Sequence, residues 1–444
     1  MKRVFFLSGK TGLITICIVI FACYILIHFL SEHNQTNVES IPQEVQRIYG
    51  ISPQKNINIL KFNLTDTTPV EFSLKDDQRN KWVYWAARNN GYRPVSPNFK
   101  INNKNFSSVE QIAQTMLKEM RPEVGDKETA IALFNFINNY LVHDKPPYYS
   151  LSEYSHPVPL FTQLGYAYCS DLSYAYANIA TRLGLAARVV YIDNQHVVVE
   201  VLYDEKWHMF DSTLKIYFLD KSGDILSLSE IFADESVLPP VLGDDKWAMS
   251  VYTSKKIIRT VYKKHFVNLM TDPAEPYLDP GEEIRYYKNI KNSYLASYKK
   301  TEPKMYSNGV LTTTRPSVSN NREKIYSISL PYPILNSVVY GKRLCDYIEE
   351  SWFSYDKKTW YGVDALCEGG LVQLKNFFET NIYKIVHLFY LRVPSEIKNT
   401  TFYTFFQFSP VILPQLAEHN TLQLLDTSGD SSLIKVQAHF VFKE

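Results

Sequence analysis

An unbroken apolar run near the N-terminus limits what this chain can fold into more than any other part of its sequence. The run covers residues 11–30 and carries no acidic or basic side chain apart from His28. About 20 such residues span a hydrocarbon core of about 30 Å as a helix, which satisfies its backbone hydrogen bonds internally. We therefore predict one transmembrane helix over residues 11–30.

The charges that flank this run predict its orientation. Lys2, Arg3 and Lys10 precede it, whereas acidic residues follow it. Basic residues favour the cytoplasmic side, so residues 1–10 are expected in the cytoplasm and the bulk of the chain outside, as in a single-pass membrane protein. A cleaved signal peptide is the alternative, but the run is long and no small-residue cleavage site follows it. A lipid anchor at Cys23 fits less well, because the apolar run continues past it.

Charge and composition narrow the classes of partner. The 444 residues are 45% hydrophobic, which is typical of globular proteins, and the length predicts two or three domains. Lys and Arg together number 47 and Asp and Glu 46, so no strong field attracts nucleic acid. The sequence contains no His-Glu-x-x-His zinc motif and no glycine-rich phosphate loop. We therefore predict no metal, no other cofactor and no nucleic-acid partner.

Changes of pattern along the chain predict its domain boundaries. Residues 31–60 are polar and irregular and are expected to form a stalk. Residues 61–255 are expected to form an α+β domain with a helical N-terminal extension and a core at about 105–225. Prolines punctuate residues 256–320, which are interpreted as a linker. Recurrent β-like runs separated by turns then predict a β-sandwich over residues 321–444.

Three helices are expected in the α+β core. The first begins at the capping box of Ser107 to Glu110 and continues to Met120. The second covers about residues 127–143. The third begins near Cys169 and ends at a glycine. Its apolar stripe consists of Leu172, Tyr176, Ile179 and Leu183.

Short strands follow the third helix, and the turn between the last two fixes their register. The strands are expected over residues 188–192, 196–203 and 207–211. If Asp204 and Glu205 form a two-residue turn, His196 shares a sheet face with Asp211, within reach of a hydrogen bond. A three-residue turn would place the two side chains on opposite faces. The pairing therefore requires the tight turn, although Asp-Glu is a poor match to the Asp-Gly that such turns prefer.

The five cysteines fall into different environments. Cys17 and Cys23 lie in the predicted membrane helix and are interpreted as small apolar side chains. Cys345 and Cys367 would lie in an oxidising compartment, and we predict that they pair, with Cα atoms about 4.4–6.8 Å apart. Cys169 then has no cysteine partner, which makes it a candidate reactive thiol.

The segment from Gly165 to Thr213 carries an ordered set of motifs that resembles the transglutaminase-like cysteine superfamily. These motifs are Cys169 before a helix of small residues, Leu183 to Val189 entering a strand, His196 opening a strand toward Glu200, and Trp207 shortly before Asp211-Ser212-Thr213. The resemblance covers about residues 105–225. It implies a papain-like core of helices packed on an antiparallel sheet, with Cys169, His196 and Asp211 as the catalytic triad.

The chemistry of these three residue types agrees with that assignment. A thiol at a helix N-terminus faces unsatisfied N–H groups and the positive end of the helix dipole, and both favour the thiolate. A neighbouring imidazole accepts the proton of the thiol, and a carboxylate on the far ring nitrogen fixes the tautomer and supports the positive charge. Cys169, His196 and Asp211 supply these three roles.

An oxyanion donor is needed besides the backbone N–H of Cys169. Gln163 lies six residues upstream and is a candidate, although a loop glutamine without that role is as good an interpretation. Trp82 and Trp85 are further candidates, because distant tryptophans fill this role in some members of the resembled family. The other histidines of this region are interpreted as structural: His143, His156 and His208.

Together these observations predict a membrane-anchored, extracytoplasmic enzyme of acyl transfer that acts on amide bonds of a protein or peptide. If water resolves the acyl-enzyme, the protein is a peptidase or amidase; if an amine does, it is a transglutaminase. The alternative is a catalytically silent scaffold or binding protein of the cell envelope, with the C-terminal domain as its contact surface. That domain carries aromatic residues with a potential for glycan contact: Trp352, Trp360 and Tyr361.

Overall fold

In the computed structural model, four strands come first, helices and short strands follow in a mixed order, and strands predominate from residue 257 onward. The structure describes residues 57–64, 70–72, 82–95, 99–102, 104–143, 156–193, 196–238, 246–262, 278–287, 307–314, 316–330, 332–365, 367–368, 370–379, 386–409, 420–424 and 436–443. All of them belong to one compact unit, Gln54–Glu444. The membrane helix predicted over residues 11–30 lies outside the described residues. Within the described ranges, no helix combines the length and the apolar character needed to cross a bilayer.

The helices concentrate in the first half of the described chain. They are α1 (Val109–Met120), α2 (Asp126–Tyr140), α3 (Pro157–Pro159), α4 (Cys169–Arg182), α5 (Leu228–Ala233), α6 (Lys246–Thr253), α7 (Leu344–Tyr347) and α8 (Lys375–Glu379). A π-helical turn, Leu160–Leu164, extends α3, and short 3-10 turns occur at Glu235–Val237 and Ile348–Glu350. The three helices predicted for the core correspond to α1, α2 and α4.

The strands of the first part of the chain are β1 (Ile57–Leu64), β2 (Val70–Phe72), β3 (Trp82–Asn89), β4 (Phe99–Ile101), β5 (Val142–His143), β6 (Tyr166–Ala167), β7 (Ala186–Ile192), β8 (His196–Tyr203), β9 (Lys206–Phe210) and β10 (Ile257–Tyr262). Those of the second part are β11 (Glu283–Tyr287), β12 (Ser307–Thr313), β13 (Val318–Ser319), β14 (Glu323–Ser329), β15 (Ile334–Lys342), β16 (Trp352–Ser354), β17 (Tyr361–Gly362), β18 (Cys367–Glu368), β19 (Leu371–Gln373), β20 (Leu388–Pro394), β21 (Lys398–Phe408), β22 (Asn420–Leu424) and β23 (Val436–Lys443).

Local sequence signals account for the ends of α1. The Ser108 hydroxyl accepts a hydrogen bond from the Gln111 backbone N–H at 3.1 Å, so the N-cap is one residue after the predicted Ser107. Arg121 closes the helix in a left-handed conformation, and its backbone N–H donates to the Leu117 carbonyl at 3.1 Å. The face between these ends buries Ile112 and Met116, so capping and periodicity together fix this helix.

The helical part of the chain packs on a four-stranded antiparallel sheet in the order β10-β7-β8-β9. Alternate residues of β8 point to opposite faces. Val197 and Val199 belong to the core cluster that includes α1, α2 and α4, whereas Val198 belongs to a second cluster that includes α5 and α6. The sheet is therefore covered on both faces, and its central strand is buried along most of its length.

A β-rich part, built from strands near both ends of the described chain, contains two antiparallel sheets that pack against each other. The nine-stranded sheet has the order β1-β23-β3-β11-β12-β21-β15-β19-β18, and the five-stranded sheet has the order β13-β14-β20-β16-β17. Their side chains form one apolar cluster, in which the rings of Tyr326 and Phe402 lie 4.6 Å apart. The expectation of an α+β core with a β-rich C-terminal part is confirmed at this level.

Several strands pair across the predicted domain boundaries, which stay a prediction. β1 and β3 pair with β23, so residues near the start of the expected α+β domain belong to the β-rich part. The stretch interpreted as a linker, residues 256–320, contributes β10 to the four-stranded sheet and β11 and β12 to the nine-stranded one. Prolines mark turns but do not reveal which distant strand a segment pairs with.

The cysteine prediction for the β-rich part is confirmed. Cys345 and Cys367 form a disulfide with Cα atoms 5.3 Å apart. The bond joins α7 to β18, the edge strand of the nine-stranded sheet. It thereby ties a short helix to a strand that, among the described strands, has a neighbour on one side only.

Candidate active site

His196 and Asp211 meet in the interior, as the predicted register requires. Nε2 of His196 lies 2.7 Å from Oδ2 of Asp211, and both side chains have no exposed surface. The hydrogen bond assigns the donor to Nε2 and the acceptor to the carboxylate. Nδ1, the other ring nitrogen, is buried, and no described group meets it at hydrogen-bonding geometry.

The turn between β8 and β9 produces this geometry. Leu202 pairs with Trp207, which leaves Asp204 and Glu205 as the two turn residues. Their φ angles are 48° and 60°, so both adopt the left-handed conformation of a type I′ turn. The tight turn is present even though neither residue is glycine.

Asp211 is held by donors on both of its oxygens. Its Oδ1 accepts the backbone N–H groups of Thr213 at 2.9 Å and Leu214 at 3.1 Å. Its Oδ2 accepts the Tyr252 hydroxyl at 2.6 Å in addition to His196. A carboxylate with this many donors stays ionised in a buried position.

Cys169 is the first residue of α4, as predicted. The carboxylate of Asp171 accepts the Tyr168 backbone N–H at 3.3 Å, which completes a cap one residue before the thiol. Cys169 is half-buried and is not part of a disulfide. One turn further along α4, the Ser173 hydroxyl donates to the Val197 carbonyl at 3.0 Å. Because Val197 follows His196, this bond fixes the start of α4 beside the histidine.

Charge and hydrogen bonding decide the protonation state of the pair. Burial alone would lower the pKa of His196, but the charge and hydrogen bond of Asp211 outweigh it and the neighbouring Cys169 thiol adds to the rise, so the pKa of His196 rises from 6.5 to about 10. Burial would raise the pKa of Asp211, but the charge and hydrogen bond of His196 and the Tyr252 hydroxyl lower it. The raised pKa favours the imidazolium form of His196 at neutral pH.

Two residues of α6 complete the site and were missed by the sequence interpretation. The ring of Trp247 meets the ring of His196 edge to face, with centroids 5.1 Å apart, and is 40% exposed. Tyr252 lies on the same helix and is fully buried. Ala248, Val251 and Tyr252 are all buried, so their helical spacing was the available signal for a covering helix.

The candidate oxyanion residues lie in different places. Gln163 is buried in the π-helical turn, where its backbone carbonyl accepts the Gln407 amide at 3.3 Å. Trp85 stacks on Tyr286 at 4.5 Å within the apolar cluster of the β-rich part, and Trp82 begins the same strand. The structure therefore gives Gln163 a fixed backbone six residues before the first residue of α4, and it places Trp85 in another core.

The remaining histidines have local contacts that suit structural roles. Nδ1 of His156 accepts the Val158 backbone N–H at 3.1 Å and so caps α3. His208 lies between the carbonyl oxygens of Ile225 and Tyr203. Among the described residues, no group of three or more His, Cys, Asp or Glu side chains is placed to hold a metal ion.

Of the aromatic residues considered for glycan contact, Trp352 and Tyr361 lie on the five-stranded sheet and Trp360 directly precedes β17. The guanidinium of Arg392 is 4.6 Å from the centre of the Trp360 ring and 5.6 Å from that of Trp352. Tyr361 is 48% exposed. A cation thus lies over two of the three rings, and glycan binding stays a prediction.

Known proteins share features with part of this chain. Residues 110–212 match the family model described as the transglutaminase-like superfamily, and this range contains Cys169, His196 and Asp211. No curated protein matches the chain significantly. A solved structure described as the crystal structure of a TGase aligns at 21% identity with 24% of this chain and 31% of its own length, with a TM-score of 0.21. The chain therefore spans about a third of that structure.

Proposed function

Because residues 110–212 form a transglutaminase-like domain, we propose that this protein is a cysteine-dependent acyl-transfer enzyme acting on amide bonds of a protein or peptide. Cys169 is its nucleophile, His196 its general base and acid, and Asp211 the orienting carboxylate. The observation that carries the proposal is the buried 2.7 Å hydrogen bond between His196 and Asp211. The thiol of Cys169 adds to the rise in the pKa of the same imidazole.

In this proposal, a thiolate of Cys169 and an imidazolium of His196 carry out the first half of the reaction. The sulfur of Cys169 attacks the amide carbonyl carbon and forms a C–S bond. His196 then gives its proton to the departing nitrogen, and the C–N bond breaks. The amine leaves, and the acyl group remains on Cys169 as a thioester. Asp211 stabilises the imidazolium before the transfer and holds the ring in place throughout.

In the second half, water or an amine attacks the thioester and loses its proton to His196. The C–S bond breaks, and the acid or the new amide leaves. Gln163 and the backbone N–H of Cys169 are the proposed donors to the oxyanion in both halves. Hydrolysis is the favoured outcome, since water is always present and the sequence reveals no acceptor pocket.

We place this activity outside the cytoplasm, on a protein anchored through residues 11–30. The disulfide between Cys345 and Cys367 supports this location, because disulfides persist in oxidising compartments and are rare in the cytosol. The substrate would then be a protein or peptide of the cell envelope or its surroundings.

Trapping of the acyl-enzyme tests the proposal. The full chain is incubated with a peptide library and a biotinylated primary amine, and Cys169 is examined by mass spectrometry. We expect an acyl adduct on Cys169 in the wild type and none in Cys169→Ala or His196→Ala. Biotin on the peptides would identify a transglutaminase. Cleaved or deamidated peptides without biotin would identify a hydrolase.

A matched control uses the other described cysteines. The double variant Cys345→Ala/Cys367→Ala removes two sulfur atoms outside the site, and it should form the adduct as the wild type does. If the wild type forms no adduct with any peptide and its Cys169 is unreactive toward alkylation, the protein is a silent scaffold and the proposal is wrong.

A further inference from the structure

Tyr252 reaches the buried pair from the face of the sheet opposite α4. Its hydroxyl donates to Oδ2 of Asp211 at 2.6 Å, and Nε2 of His196 donates to the same oxygen at 2.7 Å. The tyrosine is fully buried, and its ring packs edge to face on Phe218 with centroids 5.1 Å apart. One carboxylate oxygen is thus shared between an imidazole and a phenol.

The carboxylate does not need Tyr252 to stay in place. The backbone N–H groups of Thr213 and Leu214 hold its Oδ1 within the same local turn. The phenol acts on the other oxygen, the one that faces His196. A donor on that oxygen withdraws negative charge from it, so the attraction between Asp211 and the imidazolium is weaker than it would be without the phenol.

The strength of that attraction matters for the proposed reaction. His196 has to stay protonated until the thiolate attacks, and it then has to release the proton to the leaving nitrogen. A carboxylate that holds the imidazolium too tightly would hinder the release. Among the described residues, the titratable groups that interact with the pair are Cys169 from α4 and Tyr252 from α6. Burial, followed by the charge of Asp211, raises the pKa of Tyr252 well above its ordinary value, so Tyr252 remains a donor.

We propose that Tyr252 is a positioning residue that tunes the proton affinity of His196 by sharing Oδ2 of Asp211. The inference rests on the proposed function, because it assigns a role within the same site. It adds a residue from α6, an element that lies outside the range matched by the family model, residues 110–212. The same helix carries Trp247, whose ring contacts His196, so α6 touches both partners of the pair.

The test is the pH profile of Cys169 alkylation in the full chain. The rate of reaction with iodoacetamide is followed on the Cys169 peptide by mass spectrometry across neutral and alkaline pH. The rate changes once when the thiolate–imidazolium pair forms and again when the imidazolium loses its proton. In Tyr252→Phe, Oδ2 recovers its full charge, so the alkaline step should move upward by about half a pH unit or more.

Tyr176→Phe is the matched control. Tyr176 is equally buried and also loses a 2.6 Å hydroxyl bond on substitution, but its acceptor is the Ala130 carbonyl. Its profile should coincide with that of the wild type, even if both variants melt at a lower temperature. A purely structural role for Tyr252 would give both variants the same unshifted profile and would overturn the inference.

A second replacement strengthens the donor without removing it. Site-specific incorporation of 3-fluorotyrosine at position 252 makes the hydroxyl more acidic and keeps the packing. The alkaline step should then move downward, and an unchanged or upward step would contradict the inference. A wild-type Cys169 that is unreactive near neutral pH would instead count against the proposed function, so the two failures are distinguishable.

Discussion

Oδ2 of Asp211 lies 2.7 Å from Nε2 of His196, although 15 positions separate the two residues in the chain. They are brought together by a single two-residue turn, which aligns β8 and β9 so that both side chains point to the same face. The geometry of the site therefore depends on a local feature of the backbone as much as on the identity of the two residues.

The charge of His196 should make stability depend on pH. Its folded pKa is raised from 6.5 to about 10, so the stabilisation from the ionised form is fully present below about pH 6.5 and is lost as the pH rises through about 10. The free energy of unfolding of wild type relative to His196→Asn should therefore fall between pH 6 and pH 10.5. Denaturant titrations at these two values measure the difference, and a gap that stays constant or widens would contradict the assignment.

Glu205→Gly should stabilise the protein. Glu205 has a φ of 60°, a conformation that glycine adopts freely and that costs other residues roughly 1 kcal/mol. We expect the free energy of unfolding to rise by about 0.5–1 kcal/mol. Glu205→Ala is the control, because alanine retains the cost. A glycine variant less stable than the alanine variant would show that the turn is not of type I′ in solution.

Much of the site could be predicted because its signals are local. The alternation of β8, the length of the turn and the capping of α4 all lie within the segment from Cys169 to Asp211, and each predicts a nearby contact. The thiol at the start of α4 and the shared face of His196 and Asp211 follow from these short-range patterns.

The rest depends on pairings between distant segments. β1 pairs with β23, at the other end of the described chain, and a strand pattern specifies a buried face without specifying the neighbouring strand. Tyr252 was missed for a related reason: α6 follows the expected end of the core at about residue 225, and its contact with Asp211 spans 41 positions. The spacing of apolar residues on α6 indicates that this helix is buried, but it does not indicate that Tyr252 contacts Asp211.

The apolar stripe of α4 should contribute to the stability of the fold and not to catalysis. Ile179 is fully buried in the cluster shared with α1 and α2. Ile179→Ala should cost about 2–5 kcal/mol of unfolding free energy, because it leaves a cavity. Leu117→Ala is the control, since Leu117 is 42% exposed on α1 and should lose less than about 1 kcal/mol. Equal losses in denaturant titrations would contradict the packing described for α4.

The disulfide should stabilise the β-rich part without affecting the thiol of α4. Cys345 and Cys367 are separated by 22 positions, and closing a loop of that size is worth about 3 kcal/mol in the chain-entropy treatment. Cys345→Ser/Cys367→Ser should lower the free energy of unfolding by about that amount, whereas alkylation of Cys169 should be unchanged. Reductant should destabilise the wild type and leave the variant unaffected; equal sensitivity to reductant would refute the contribution of the bond.

The reactivity of Cys169 at pH 6 tests the central claim most directly. An ordinary cysteine, with a pKa near 8.5, is almost entirely protonated there, whereas a thiolate held by an imidazolium reacts. Iodoacetamide should therefore label Cys169 of the wild type readily and label it far more slowly in His196→Ala. In Asp211→Asn the rate should be intermediate, because the carboxylate acts through the imidazole. Thermal melts confirm that each variant is folded. An unlabelled wild type, or a His196→Ala variant that labels as fast as the wild type, would show that Cys169 and His196 do not form the reactive pair.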